Sequence, residues 1–324
     1  MKQLPKLNCK EVATLAQLIK LQDYISRYEW DPYRYPSQYI RLKKDQWEKL
    51  HHLWINPEMG MEPREEEPEQ RSACSRIKSI FKRKQDISIS LEEEVESREM
   101  LAETEQELKQ QFLDKLLNFQ LKWATSTVTD VSFMDKAYYA DSVLKYFLQR
   151  FPDTYLIMYY PIFSIKKAPV DGEIIMISPL GVEIIYLVEE EAGATIFAGN
   201  DRTWTVESKR EQRKLLSPLI SLKRTEKIIR SIFYAEQHDF SIKKTILSRV
   251  NPIHFAQEPY QTNVIGSQQY EKWFQEKRQL DSPLKSRQLK AAGALLKFSH
   301  TTSVKRPEWE EDKGMDDFRF AEKE

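Results

Sequence analysis

Glycine is confined to a few places. The chain has only eight in 324 residues, and Gly60 is the single one before Gly172, whereas Gly172, Gly181, Gly193 and Gly199 crowd one short stretch. Tight turns between strands lean on glycine, because it enters the left-handed backbone region without steric strain. The spacing therefore predicts a helical first half and a strand-containing segment after about residue 170. It also excludes the Walker loop and the G-x-G-x-x-G phosphate cradle, since no glycines stand at those intervals.

At roughly 150 residues per domain, the length suggests about two domains. Fifty Lys and Arg balance fifty Asp and Glu, so no overall field draws the chain to nucleic acid or an anionic membrane, and any such binding must be local. Cys9 and Cys74 have no partner at metal spacing and are too few for a disulfide framework. The first twenty residues place Glu11 and Lys20 where a signal peptide needs an apolar run. The longest apolar run, over 155–163, is far short of the ~20 residues of a spanning helix. The expectation is a cytoplasmic protein with no membrane contact.

Leu15, Leu18, Leu21, Ile25 and Tyr28 have helical spacing, and a second helix is expected from Ser37 through Trp54. Residues 1–56 are thus read as a helical N-terminal segment and 57–97 as a charged linker. Within that linker, Arg76, Lys78, Lys82, Arg83 and Lys84 around Ile77, Ile80 and Phe81 read as a solvated helix end. Leu101, Leu108, Phe112, Leu116, Phe119 and Trp123 form one stripe, so 98–130 is expected as a long helix packing with the N-terminal region. After 131 the pattern changes. A helix over 134–150, a strand over 155–163, strands over 173–178 and 182–189 around Ser178-Pro179-Leu180-Gly181, and a hairpin at Gly199-Asn200-Asp201 come in order. Ser217-Pro218 opens a helix, a strand follows at 242–247, and helices are expected over 267–277 and from Ser282-Pro283 to Leu296. Residues 301–324 read as a charged tail.

The run Val170-Asp171-Gly172-Glu173-Ile174-Ile175-Met176-Ile177-Ser178-Pro179-Leu180-Gly181-Val182, with Asp141, Thr195-Ile196-Phe197, Trp204, Ser217-Pro218-Leu219 and Arg224, forms an ordered set. In this the chain resembles the nuclease-related domain (NERD) family, within the PD-(D/E)XK nuclease superfamily. The resemblance covers roughly 134–250. It implies an α+β or α/β fold, with an αβββαβ nuclease-like core inside 131–300 preceded by an α-helical N-terminal region.

The resemblance further implies a divalent-metal site built from an Asp ending one strand and a Glu-x-Lys pair on the next. Hard cations take oxygen ligands and lower the pKa of bound water, while a lysine stabilises charge near the attacked phosphate. On this alignment Glu173 takes the place of the metal-binding Asp, with Asp171 two residues earlier, and Asp141 stands where the family often has a helical Glu. Tyr186 occupies the Glu position and Val188 the Lys position, and neither side chain can do that work. The motif is therefore degenerate. No cofactor is expected, with Mg²⁺ if the chain is active.

Glu190 shares a strand face with Tyr186 and Val188 and is a candidate relocated ligand; Glu189 needs a bulge to join it, and Lys166 and Lys167 lie on the preceding connection. Trp204 is a candidate for base stacking or, more simply, a hairpin Trp packed on the sheet. Lys223, Arg224, Lys227 and Arg230 are candidate nucleic-acid-binding residues on the Pro218 helix. His51, His52, His238, His254 and His300 show no metal spacing. Three functions stay open: a degenerate NERD-like module that binds DNA through a local basic face or a protein through its N-terminal helices; a metal-dependent DNA nuclease with relocated residues; and a structural interaction protein.

Overall fold

The computed structural model describes residues 15–56, 102–165, 168–199, 202–209 and 211–306. The expected linker, the basic segment around Ile77, Cys9, Cys74, Lys166, Lys167 and most of the expected tail lie outside these residues. Two compact units result, one of them Ser37–Phe119 and the other the remainder.

The apolar run from Leu15 is a strand, β1 (Gln17–Leu21), with all five residues buried. It lies parallel to the strand at Leu156–Tyr159. This corrects the expected helix over 15–28. A strand covered on both faces shows no two-residue alternation, and over so few residues the spacing of its apolar positions does not differ from that of a helix. Only α1 (Arg27–Trp30) is helical there, started by a capping box between Ser26 and Glu29. Inside the sheet, buried Lys20 keeps its charge satisfied through Glu29 at 2.5 Å and the Thr301 hydroxyl at 2.8 Å.

The unit Ser37–Phe119 is a helical pair, α2 (Arg34–Ile55) and α3 (Glu105–Trp123). Leu108, Phe112, Leu116 and Phe119 are buried. The Trp47 ring lies 5.2 Å from Phe112, and Trp54 Nε1 donates to the Ala102 carbonyl at 2.7 Å. Through Phe112 the stripe of the long helix meets α2 within this unit.

In the larger unit β2 (Asp130–Val131) precedes a 3-10 turn, and the helix expected over 134–150 is shortened to α4 (Ser142–Gln149). It is shortened because the Asp141 side chain caps it. There follow β3 (Leu156–Tyr159), β4 (Ile162–Ile165), β5 (Ala168–Asp171), β6 (Ile174–Ser178), β7 (Gly181–Leu187), β8 (Thr195–Ala198), β9 (Thr203–Glu207) and β10 (Gln212–Leu216). Then come α5 (Pro218–Ala235), β11 (Ile242–Leu247), β12 (Ile253–Phe255), β13 (Thr262–Ile265), α6 (Ser267–Arg278), α7 (Ser286–Lys297) and β14 (Val304–Lys305). The architecture is a mixed α+β arrangement. Its main sheet runs β1-β3-β6-β7-β11-β13, with β3, β6 and β7 antiparallel in turn and β11 parallel to β7. A parallel neighbour requires a crossover, and α5 belongs to it. A second sheet runs β10-β9-β8-β12.

The run 155–163 is not one strand. Tyr160 has φ +46° and Pro161 follows, so β3 ends and β4 leaves to pair with β5. Gly172 then returns the chain against Pro161, where a Cβ would meet the Pro161 carbonyl at 3.0 Å. In consequence Asp171 ends β5, paired with Ile162, while Glu173 lies beyond Gly172 just before β6, which corrects the expectation that the two share a strand face.

Candidate functional site

Around the point where β6 begins, the fold gathers a carboxylate and several phenols. Glu173 immediately precedes β6, and the Ile174 to Ile185 pairing sets it opposite Tyr186 on β7. Opposed residues in an antiparallel pair share one face, so the two positions aligned by the resemblance do meet. The Glu173 amide donates to the Thr225 hydroxyl of α5 at 3.2 Å. The side chain is buried, and burial pushes its carboxyl above the usual range, although a hydrogen bond with Ser221 and the charge of Arg224 act the other way.

Asp141 is held otherwise. Its Oδ1 accepts from the Val143 and Leu144 amides at 2.9 and 3.0 Å, and its Oδ2 accepts from the Tyr159 hydroxyl at 2.8 Å. Both oxygens are thereby engaged in capping α4 and fixing Tyr159. Burial raises the Tyr159, Tyr160 and Tyr186 phenols; that of Tyr160 is pushed up to about 12, with Glu173, Asp141 and Tyr186 adding to the effect. At neutral pH such phenols stay protonated and donate hydrogen bonds.

The candidate metal ligands are not assembled. Asp141 is a helix cap, Asp171 is exposed on a separate hairpin, and Glu190 pairs with Arg213. Among the described residues no three His, Cys, Asp or Glu side chains group to hold a metal ion. Glu189 pairs with Arg249 through two bonds, Nε to Oε1 at 2.5 Å and Nη2 to Oε2 at 2.6 Å. Val188 is buried just beyond β7. A lysine that register brings to this sheet face is Lys244 on β11, beside Ile184, and sequence spacing had no means of finding it. Its Nζ sits 2.6 Å from Glu226 Oε2 on α5. Burial opposes the Glu226 charge, yet Lys244 and Arg230 outweigh it and hold that carboxyl below the usual range.

Next to Glu173 lies an open groove of about 510 Å³, lined by Ile165 and Val170 of the β4–β5 hairpin and by Ile220, Lys223, Arg224, Lys227 and Ile228 of α5. Three of the four sequence-chosen cations thus come together. Arg230 does not join them, because its guanidinium is donated to Glu226 at 2.7 and 3.0 Å. Trp204 is fully buried and is no stacking surface. The groove offers cations beside apolar walls, which suits an anion carried on a less polar frame.

The relatives are sparse. A stretch of 114 residues is 35% identical to an RNA 2′,3′-cyclic phosphodiesterase of Geobacillus stearothermophilus, covering 33% of this chain and 36% of that protein. The chain therefore spans about a third of the length of this curated relative. No family model matches the chain, and no solved structure matches it. Among the described residues no helix is long and apolar enough to cross a membrane.

Proposed function

We propose that the larger unit is a nuclease-related module that holds a nucleic-acid backbone in the α5 groove without cutting it. What supports the reading is that α4, β3, β6, β7, α5 and β11 follow in this order, with β4, β5 and β8–β10 interposed, and that β3, β6 and β7 run antiparallel in turn while β11 lies parallel to β7. The observation that carries the reading is the pairing of Glu173 with Tyr186, where the reaction needs a second carboxylate. A phenol, protonated at neutral pH, and a valine supply neither a ligand nor a cation, and Lys244 is committed to Glu226. This donor set does not fit Mg²⁺, which takes carboxylate and water oxygens in octahedral array. Glu173 alone gives a hydrolytic metal too few ligands to hold it in place.

What remains suits binding. Lys223, Arg224 and Lys227 place positive charge along one helix face, and exposed Ile220 one turn before them offers apolar contact. Backbone phosphates are neutralised by such cations independently of sequence. The likeness to a protein named for phosphodiester chemistry on RNA agrees with this class of ligand.

The experiment is a cleavage assay with Mg²⁺ or Mn²⁺ on supercoiled plasmid, single-stranded DNA and RNA ending in a 2′,3′-cyclic phosphate. No turnover is expected on any of the three. Cleavage that disappears in a folded Glu173→Ala variant would overturn the reading.

A further inference from the structure

The α5 groove is cationic and apolar at once. Lys223, Arg224 and Lys227 line it, and among the described residues that line it none is acidic. Its other walls are Ile165, Val170, Ile220 and Ile228, and Ile220 is 41% exposed. Such a groove suits a ligand that carries acids and large apolar groups close together.

The chain itself carries such a stretch. Residues 307–324 hold eight Asp and Glu against Lys313, Arg319 and Lys323, in a chain whose net charge is zero. Within them, Asp316-Asp317-Phe318-Arg319-Phe320 sets two carboxylates beside two phenyl rings. The acidic run over 62–69 has no aromatic residue and suits the apolar walls less well. The backbone that leads to 307–324 runs along the hairpin that walls the groove. The Ser164 amide donates to the Phe298 carbonyl at 3.0 Å, and the His300 amide donates to the Ile162 carbonyl at 2.7 Å. Ile165, a groove wall, stands three residues along the same strand. Counted along the backbone from Arg306 to His300, across to Ile162 and on to Ile165, the separation is at most about 40 Å, and the twelve residues from Arg306 to Phe318 span about as much when extended.

We propose that residues 307–324 dock in the α5 groove of the same molecule and compete there with a nucleic-acid backbone. Asp316 and Asp317 oppose the cations, and Phe318 and Phe320 cover the apolar walls. Tethering lets weak contacts suffice: at an effective concentration of about 1 mM, an intrinsic dissociation constant of about 0.1 mM weakens nucleic-acid binding about tenfold. The competition rests on the nucleic-acid reading above, whereas the docking does not.

The docking is tested by zero-length carbodiimide cross-linking of the full chain, which joins a carboxylate to an ammonium in contact, read by mass spectrometry of the digested monomer. Amides from Lys223 or Lys227 to acids within 308–324 are expected, and they should fade with rising salt. Their absence overturns the docking, as does linkage of these lysines to acids within 62–69 or to a second copy. The competition is read by fluorescence anisotropy with a labelled single-stranded oligonucleotide. The variant Phe318→Ala, Phe320→Ala, which leaves the net charge unchanged, should bind about tenfold more tightly than the unsubstituted chain. Equal affinities, with binding lost in Lys227→Glu, overturn the competition and leave the nucleic-acid groove standing. Cross-links without nucleic-acid binding by either chain uphold the docking and overturn the nucleic-acid reading.

Discussion

Trp204→Ala is expected to destabilise the larger unit by about 3–5 kcal/mol, the usual cost of emptying a large aromatic site in a core that relaxes only in part. Trp204 is fully buried on the inner face of the second sheet, and β9 holds it between Leu215 of β10 and the strand bearing Phe197. Its loss removes both the transfer energy of an indole and the packing of Ile196 and Val206 beside it. Urea denaturation followed by circular dichroism measures the effect as a lower midpoint at unchanged slope. The contrast with Phe197→Ala is informative, since Phe197 on the neighbouring strand is 39% exposed and its loss should cost less, about 0.5–1.5 kcal/mol, the worth of its ring contact with His254. Equal losses for the two would mean that the faces are assigned wrongly.

Glu183→Ala is expected to cost about as much, roughly 3–5 kcal/mol, for an electrostatic reason. The Glu183 carboxylate is buried on β7 and takes three donors: the Thr245 hydroxyl at 2.6 Å, Trp273 Nε1 at 3.2 Å and Lys277 Nζ. Removing it strands a buried hydroxyl and a buried indole N–H and leaves the Lys277 ammonium without its counter-charge. Glu183→Gln keeps an acceptor for Thr245 and should cost less, about 1–3 kcal/mol. The same denaturation experiment ranks the two variants. An alanine variant within 1 kcal/mol of the unsubstituted chain would show that the network contributes little.

The parts of the fold that were legible carry local signals. The turn at Ser178-Pro179-Leu180-Gly181 fixes the β6–β7 hairpin, and Ser217-Pro218 announces α5, so both were placed within a residue or two. The strand β1 was not legible, because a short run buried on both faces has no period of its own. The strand β10 was missed for the opposite reason: Gln212, Arg213 and Lys214 are polar residues on an exposed sheet edge. The break at Tyr160 was hidden inside an apolar run, and with it the separation of Asp171 from Glu173.

The site divides in the same way. Aligning one turn was enough to bring Glu173 opposite Tyr186, because pairing next to a tight hairpin follows from counting residues. Lys244, Thr225 and Ser221 were invisible, since their approach depends on packing and register between elements far apart in sequence. The same limit left Trp204 open as a stacking surface, although it is fully buried in the second sheet.

The most direct test of the central claim is the affinity of the full chain for a labelled nucleic acid as a function of salt, compared with the double variant Lys223→Glu, Lys227→Glu. Binding that falls with rising salt, with affinity lost by about a hundredfold and a salt slope reduced by about two in the variant, is the predicted result. Affinity and slope unchanged by the double charge reversal would contradict the account.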